Sequence, residues 1–397
     1  MAEDEKQSLP NKEQTATPDD SHESPQSESA ASGKFPAVCF DGDSDDLELG
    51  EEDVLTADDL AEDLGSEEAV EVSARSIHDE YYQLGSAILE AFPKFCYPID
   101  LYRYNEEASS LIPTYRAGQR MHYSFRSKIV DMCREGRLFV ARSQHDIYTS
   151  YMTRQLDLVL LDKNLKPNEI AETLFKALAY RLDELFKSPV RESYEKFEHD
   201  LNIFVECIGR NVKVIFELIC YLHFNNLPEN KMVNVAVMGL AIYMYKDKEN
   251  LSKASLFSVS RGLFLHDIGM CKIPKFITDK EQGLRIDERR RVHEHVQLSV
   301  DILTSLGLSG EVALQCACEH HERLDGSGYP SKLRGEKLSL MGRICSVADS
   351  YAAMIAEKPY AKGKKPLEAA VALFKDQKKY DPSITSLLMK ILQDTSC

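Results

Sequence analysis

The chain has 397 residues, 43% of them hydrophobic and 28% charged, and a formal charge of −17. That acidity is local: residues 1–70 hold 22 Asp and Glu against 3 Lys and Arg, which leaves a net +2 on the remainder. With no excess of Lys and Arg to neutralise phosphates, a strongly basic DNA- or RNA-binding protein is excluded, and no apolar run reaches the ~18–20 residues that span a bilayer.

Residues 1–70 are rich in Glu, Asp, Ser and Pro and poor in aromatics. Such a segment buries too little apolar surface to offset its ordering entropy, so a disordered acidic tail is expected there. Its start, MAEDEKQ, lacks the apolar core of a secretory signal. The ten cysteines contain no CxxC pair, and several lie in apolar runs (Cys207, Cys220, Cys345). Buried thiols in a reduced, cytoplasmic setting are the expectation.

A small α+β module is expected over 71–160. Ile77, Tyr81, Leu84 and Ile88 recur at helical spacing, which predicts a helix over 74–92. Alternation predicts strands at 98–104 and 111–115. A helix follows at 124–135 with Gly136 as its stop, then a strand at 138–141 and a helix through 148–156. Connecting helices are expected over 161–224. Pro167 opens the first, whose apolar face carries Ile170, Leu174, Leu178, Leu182 and Leu185 and reads as core or as a homodimer seam. Residues 191–224 read as one longer helical region. From 225 to 397 the chain reads as almost wholly helical, with breaks at Pro228, at Ile273-Pro274 and in a Gly-rich loop at 326–335. The apolar stretch 232–245 is too short to cross a membrane and reads as a buried helix. The fold class is therefore mainly α: a helical bundle preceded by a small α+β module and an acidic tail.

Five of the eleven histidines fall between 266 and 321: His266, His293, His295, His320 and His321. His266-Asp267 directly follows the apolar segment GLFL, and His320-His321-Glu322 ends another helix. Asp349 follows the apolar run ICSVA. A buried His and Asp side by side are costly unless a metal or a partner satisfies them. Imidazoles and carboxylates converging from several helices suit a two-metal hydrolytic centre in a bundle. His293, two positions from His295 on what reads as the same helix, is expected on a different, solvated face. Cys316 and Cys318 are expected to pack the helix before His320 rather than bind metal.

Taken in order, His266-Asp267-Ile268-Gly269, His295, the string HHERLDGSGYP at 320–330 and Val347-Ala348-Asp349 resemble the HD-GYP family. That family is the bacterial branch of the HD phosphohydrolases that hydrolyses cyclic di-GMP. The resemblance covers roughly 225–390. It implies an all-helical HD-type bundle and metal ligation by His266, Asp267, His295, His320, His321 and Asp349. Asp267 would bridge two divalent ions, iron or manganese, and Asp267 and His266 would carry the catalysis. Gly326, Gly328, Tyr329 and Pro330 match the loop that names the family and would border the substrate groove. The resemblance further implies cyclic di-GMP as ligand, hydrolysed to the linear dinucleotide or GMP in second-messenger signalling. The N-terminal module would serve protein partners.

This chain also departs from the family pattern. Lys231 stands where the family has a further His ahead of the HD pair, and Leu227 where its trinuclear subset has a Glu. Met270 stands at the Lys of HDxGK. Lys358, before Pro359-Tyr360, stands at the Arg of a later substrate-binding block. A protonated ammonium cannot ligate a metal and repels one nearby. Two functions remain compatible with these residues. One is a metal-dependent cyclic di-GMP phosphodiesterase. The other is a domain disabled by the changes at Lys231 and Met270, acting as a cyclic di-GMP receptor or a protein-interaction module.

Overall fold

The computed structural model describes residues 54–55, 70–71, 80–105, 110–225, 227–248, 251–280, 283–357 and 362–395. Nearly all of the acidic stretch lies outside the described residues, as do Lys358 and its neighbours at 359–361.

The first part of the chain is built around a sheet. Its strands are β1 (Val54–Leu55), β2 (Val70–Glu71), β3 (Tyr81–Gln83), β4 (Leu101–Asn105), β5 (Ser110–Tyr115), β6 (Arg120–Met121) and β7 (Leu138–Ala141). Five of them pair antiparallel in the order β2–β5–β4–β7–β3, while β1 runs parallel beside β6. Helices α1 (Ser86–Ala91), α2 (Tyr123–Arg134), α3 (His145–Met152) and α4 (Leu158–Leu161) belong to the same region. Ile88, Leu89, Phe125, Ile129, Leu138 and Val140 bury their side chains between sheet and helices. Gly136 follows α2 with φ +74°, the left-handed turn that ends a helix at little cost for glycine.

The helix predicted over 74–92 is not observed as such. Residues 81–83 form β3, with Tyr82 opposite Val140, and a separate helix covers 86–91, while 74–79 lie outside the described residues. Two adjacent tyrosines favour a pleated surface. The open edge of β7 supplies the ladder that overrides the helical spacing of Tyr81.

The rest of the described chain is helical, as expected: α5 (Pro167–Lys187), α6 (Arg191–Arg210), α7 (Lys213–Cys220), α8 (Pro228–Lys246), α9 (Lys253–Leu265), α10 (Lys275–Thr278), α11 (Ile286–His293), α12 (His295–Ser305), α13 (Glu311–Glu319), α14 (Leu340–Ile355), α15 (Pro366–Lys375) and α16 (Pro382–Asp394). Pro167 occupies the first turn of α5, where its missing N–H costs nothing, and the Glu169 carboxylate accepts from Lys166 N at 2.8 Å. Leu174, Leu178, Leu182 and Leu185 are fully buried and face α6, α7 and α8 within the chain. The region 191–224 is two helices, not one. Asn211 leaves the helical conformation at φ −145° and its carboxamide caps the next helix at Lys213 N. Cys220, at the end of α7, is exposed and disulfide-bonded, against the expectation of a buried thiol. The apolar run VIFELIC placed it in the core, but its position in the last turn turns it outward.

Helix α8 is buried on every side from Met232 to Ile242, the mark of a central helix. It lies against α5, α9, α14 and α16, and α9 in turn packs on α13. No helix among the described residues is long and apolar enough to cross a membrane. The arrangement brings one end of several helices together. The first turn of α8, the residue after α9, the first of α12 and the residue after α13 meet the middle of α14.

Candidate metal centre

His266 and Asp267 form the turn between the end of α9 and the short 3-10 segment Ile268–Lys272. Gly269 makes this possible. A Cβ there would collide with the carbonyl oxygen of His295 and lie 2.5 Å from Ser299 N. The Gly269 N–H donates to Ser299 Oγ at 2.8 Å. Glycine thus lets α12 close onto the His266-Asp267 turn, and that approach sets the place of His295.

Three histidines share one hydrogen-bonding pattern. The Nδ1 atoms of His266, His295 and His320 lie 2.7 Å from Leu263 O, 2.6 Å from Val292 O and 3.0 Å from Cys316 O, respectively. A carbonyl accepts, so each Nδ1 carries the proton and each Nε2 presents a lone pair. All three rings are buried. His266 Nε2 has no hydrogen-bond partner, and His295 Nε2 lies 3.2 Å from His320 Nε2. Two lone pairs facing each other at that distance, in a buried cluster, are an arrangement that a cation satisfies. Backbone carbonyls holding the far nitrogen are also the usual outer support of metal-binding imidazoles.

The donors fall into two groups whose ligand atoms lie within 4.8 Å of one another: His295, His320 and His321, and His266, Asp267 and Asp349. Asp267 Oδ1 sits 3.3 Å from His295 Nε2, and Asp349 lies 3.8 Å from both His266 Nε2 and His321 Nδ1. All six residues expected at the centre converge. This donor set fits a divalent ion of the iron, manganese or zinc kind better than calcium.

Lys231 occupies the space between the carboxylates. Its ammonium donates to Asp267 Oδ2 at 3.1 Å and ion-pairs with Asp349 Oδ1 at 2.8 Å, its side chain a quarter exposed. Burial works to raise both carboxyls. The Lys231 charge outweighs it and, with the neighbouring imidazoles, holds both below the usual carboxylate range. Burial also works to lower Lys231, but Asp349 and Asp267 outweigh it and hold the lysine protonated. Burial pushes His320 well below its usual value and His321 down to about 3, so both rings are neutral donors.

The loop at 326–335 lies beside the cluster. Gly326 has φ +74°. A Cβ on Gly328 would lie 2.5 Å from Glu322 Cα and from His321 O, so that loop is pressed directly on the paired histidines. Tyr329 stacks on His321 at 4.6 Å between ring centres and on His293 at 3.8 Å. His293 is therefore not on a solvated face. Glu294 separates it, the last residue of α11, from His295, the first of α12, and the break turns both rings toward Tyr329. Pro330 follows, exposed, and Met270 is half-buried in the segment after Asp267. Leu227, just ahead of α8, is exposed.

Two supporting residues were not singled out from the sequence. Glu322 is fully buried and accepts from Ser331 N at 2.6 Å and Leu333 N at 3.0 Å, tying down the loop. Arg323 donates to His320 O, Ser346 Oγ and Ser350 Oγ, joining the paired histidines to α14. The signal was a charged pair inside the motif, but only the folded chain shows which backbone groups it serves. Glu322→Gln sets an amide NH2 against a buried N–H donor. A loss of about 2 kcal/mol is expected from the unsatisfied donor, read as a lower denaturant midpoint at unchanged slope.

Residues 222–384 match the family model described as HD domain. This region carries an HD domain. The chain is 35% identical over 144 residues to a 3'3'-cGAMP-specific phosphodiesterase of Vibrio cholerae, covering 36% of this chain and 31% of the relative. It is 37% identical over 152 residues to a cyclic di-GMP phosphodiesterase of Thermotoga maritima, covering 36% and 40%. With the cyclic di-GMP phosphodiesterase PdeB of Borreliella burgdorferi the identity is 30% over 166 residues, 42% of each chain. The chain thus spans less than half the length of these relatives. Among solved structures, Bd1817, an HDG"Y"P protein from Bdellovibrio bacteriovorus, superposes with TM-score 0.52 at 16% identity, covering 79% of this chain and all of that one. At that identity the likeness shows the fold alone.

Proposed function

We propose that this chain is a metal-dependent phosphodiesterase that hydrolyses cyclic di-GMP to the linear dinucleotide or GMP. The observation that carries the reading is the convergence of three imidazole Nε2 lone pairs and two carboxylates on one buried cluster. The relatives' names, all phosphodiesterases of cyclic dinucleotides, support the same class.

His295, His320, His321 and Asp267 would hold a divalent ion, iron or manganese by donor type. Such an ion supplies Lewis-acid charge for a phosphoryl oxygen and activates water near neutral pH. The protein's own groups do the rest. Asp267 and Asp349 set the charge of the cluster. The backbone carbonyls behind His266, His295 and His320 keep their lone pairs inward. Tyr329, clamped between His293 and His321, fixes the His321 ring beside the cluster.

The test is incubation of purified protein with cyclic di-GMP and added manganese or, anaerobically, ferrous iron, with products separated by chromatography. Linear dinucleotide or GMP is expected, and chelation before the assay should abolish it. Intact cyclic di-GMP at high enzyme concentration, with ligand binding retained, would overturn the reading in favour of a receptor.

A further inference from the structure

We propose that the Lys231 ammonium takes the place of one of the two cations for which this cluster has donors, so that the chain binds a single divalent ion, on His295, His320, His321 and Asp267 Oδ1. The inference rests on the metal-dependent reading above and decides the stoichiometry that reading leaves open.

The donors divide cleanly. Lys231 Nζ is 2.8 Å from Asp349 Oδ1 and 3.1 Å from Asp267 Oδ2, which commits one oxygen of each carboxylate to the ammonium. Asp267 Oδ1 makes no hydrogen bond and lies 3.3 Å from His295 Nε2. His295 Nε2 and His320 Nε2 face each other at 3.2 Å, and the His321 ring lies within the same group. Three imidazoles and one carboxylate oxygen make a complete set for one transition ion.

Charge leads to the same count. The two carboxylates carry two negative charges, and the Lys231 ammonium, paired with both, offsets one of them. One divalent ion then leaves the buried cluster with one positive charge. A second would sit against the ammonium in a poorly solvated space, where like charges repel strongly.

His266 is the donor left over. Its Nε2 lone pair has no hydrogen-bond partner and lies 3.8 Å from Asp349 Oδ1. With Lys231 gone, His266, Asp267 Oδ2 and Asp349 would be free for a second ion, and a histidine at position 231 would add a fourth donor. Lys231 is thus a charge substitute that positions both carboxylates.

The experiment counts ions. Full-length protein stripped by chelation is titrated with Mn²⁺, and bound metal per chain is measured by calorimetry and by elemental analysis after desalting. One ion per wild-type chain is expected, two for Lys231→His, and none for His320→Ala. Two ions in the wild-type chain, or none, would overturn the inference, as would a Lys231→His chain that folds and still binds one. The wild-type count stands even where a substituted chain fails to fold, and Lys231→Met removes the charge with little change of shape. Cyclic di-GMP turnover is measured on the same samples. One ion without hydrolysis removes the enzymatic reading and keeps this inference. Two ions with hydrolysis does the reverse.

Discussion

Asp267→Ala is expected to lower cyclic di-GMP turnover by more than about 100-fold, because loss of even an outer partner of a metal ligand commonly costs 10–100-fold. Asp267 serves two cations at once. Oδ2 holds Lys231 at 3.1 Å, and Oδ1 faces the histidine group with no hydrogen bond of its own. Removing the side chain takes the only carboxylate from the proposed ion and leaves Lys231 paired with Asp349 alone. The effect should appear in kcat, and metal content should fall with it. Asp267→Asn separates charge from shape: it keeps the volume, loses the negative charge, and should be nearly as inactive. Circular dichroism and a melting curve identify any variant that has merely unfolded. A folded Asp267→Ala chain with kcat within about tenfold of wild type would place the chemistry elsewhere.

Gly269→Ala should be strongly damaging for a single added methyl. The added Cβ meets the His295 carbonyl, Ser299 N at 2.5 Å and Ser299 Oγ at 2.7 Å, all of them parts of α12. Two of the three are backbone atoms that cannot rotate away. Overpacking of a well-packed site costs about 1–3 kcal/mol, and this contact belongs at the upper end. For a chain of 397 residues about 3 kcal/mol corresponds to roughly 4 °C in Tm. Activity should fall further than stability. Relief of the clash moves α12, and His295 is its first residue. A displacement of about 1 Å at a reacting centre can cost roughly 100-fold. A Tm and kcat both near wild type would mean that the close approach of α12 to the His266-Asp267 turn is not maintained in solution.

Much of the centre was legible before any coordinates. His266-Asp267 after an apolar segment, the paired histidines at 320–321 and Asp349 within an apolar run each combine a polar group with a sequence that buries it, and all six expected donors meet. The central helix was readable because 232–242 is apolar on every side. Failures came where tertiary partners outweighed local pattern. Tyr81 fits a helix by its spacing from Ile77, Leu84 and Ile88 but pairs with β7. Residues 191–220 look continuous, yet the Asn211 side chain competes for the backbone and starts a new helix. His293 was placed by counting along one helix, whereas the break at Glu294 brings it onto Tyr329.

The sequence by itself determined the inventory: which groups could ligate, that apolar runs flank them, and that Gly326 and Gly328 belong to a Gly-rich loop. It also exposed the anomaly at Lys231, as an absent ligand. Only the tertiary structure decided what that lysine does. Lys231 and Asp267 are 36 positions apart, and their 3.1 Å separation depends on how α8 lies against α9 and α14. The orientation of each imidazole rests likewise on a backbone carbonyl one helical turn away. Residue chemistry and helical period are local properties, carried by neighbours in the chain. The distance between two charges on different helices belongs to their packing, and here that distance makes a missing ligand into a bound cation.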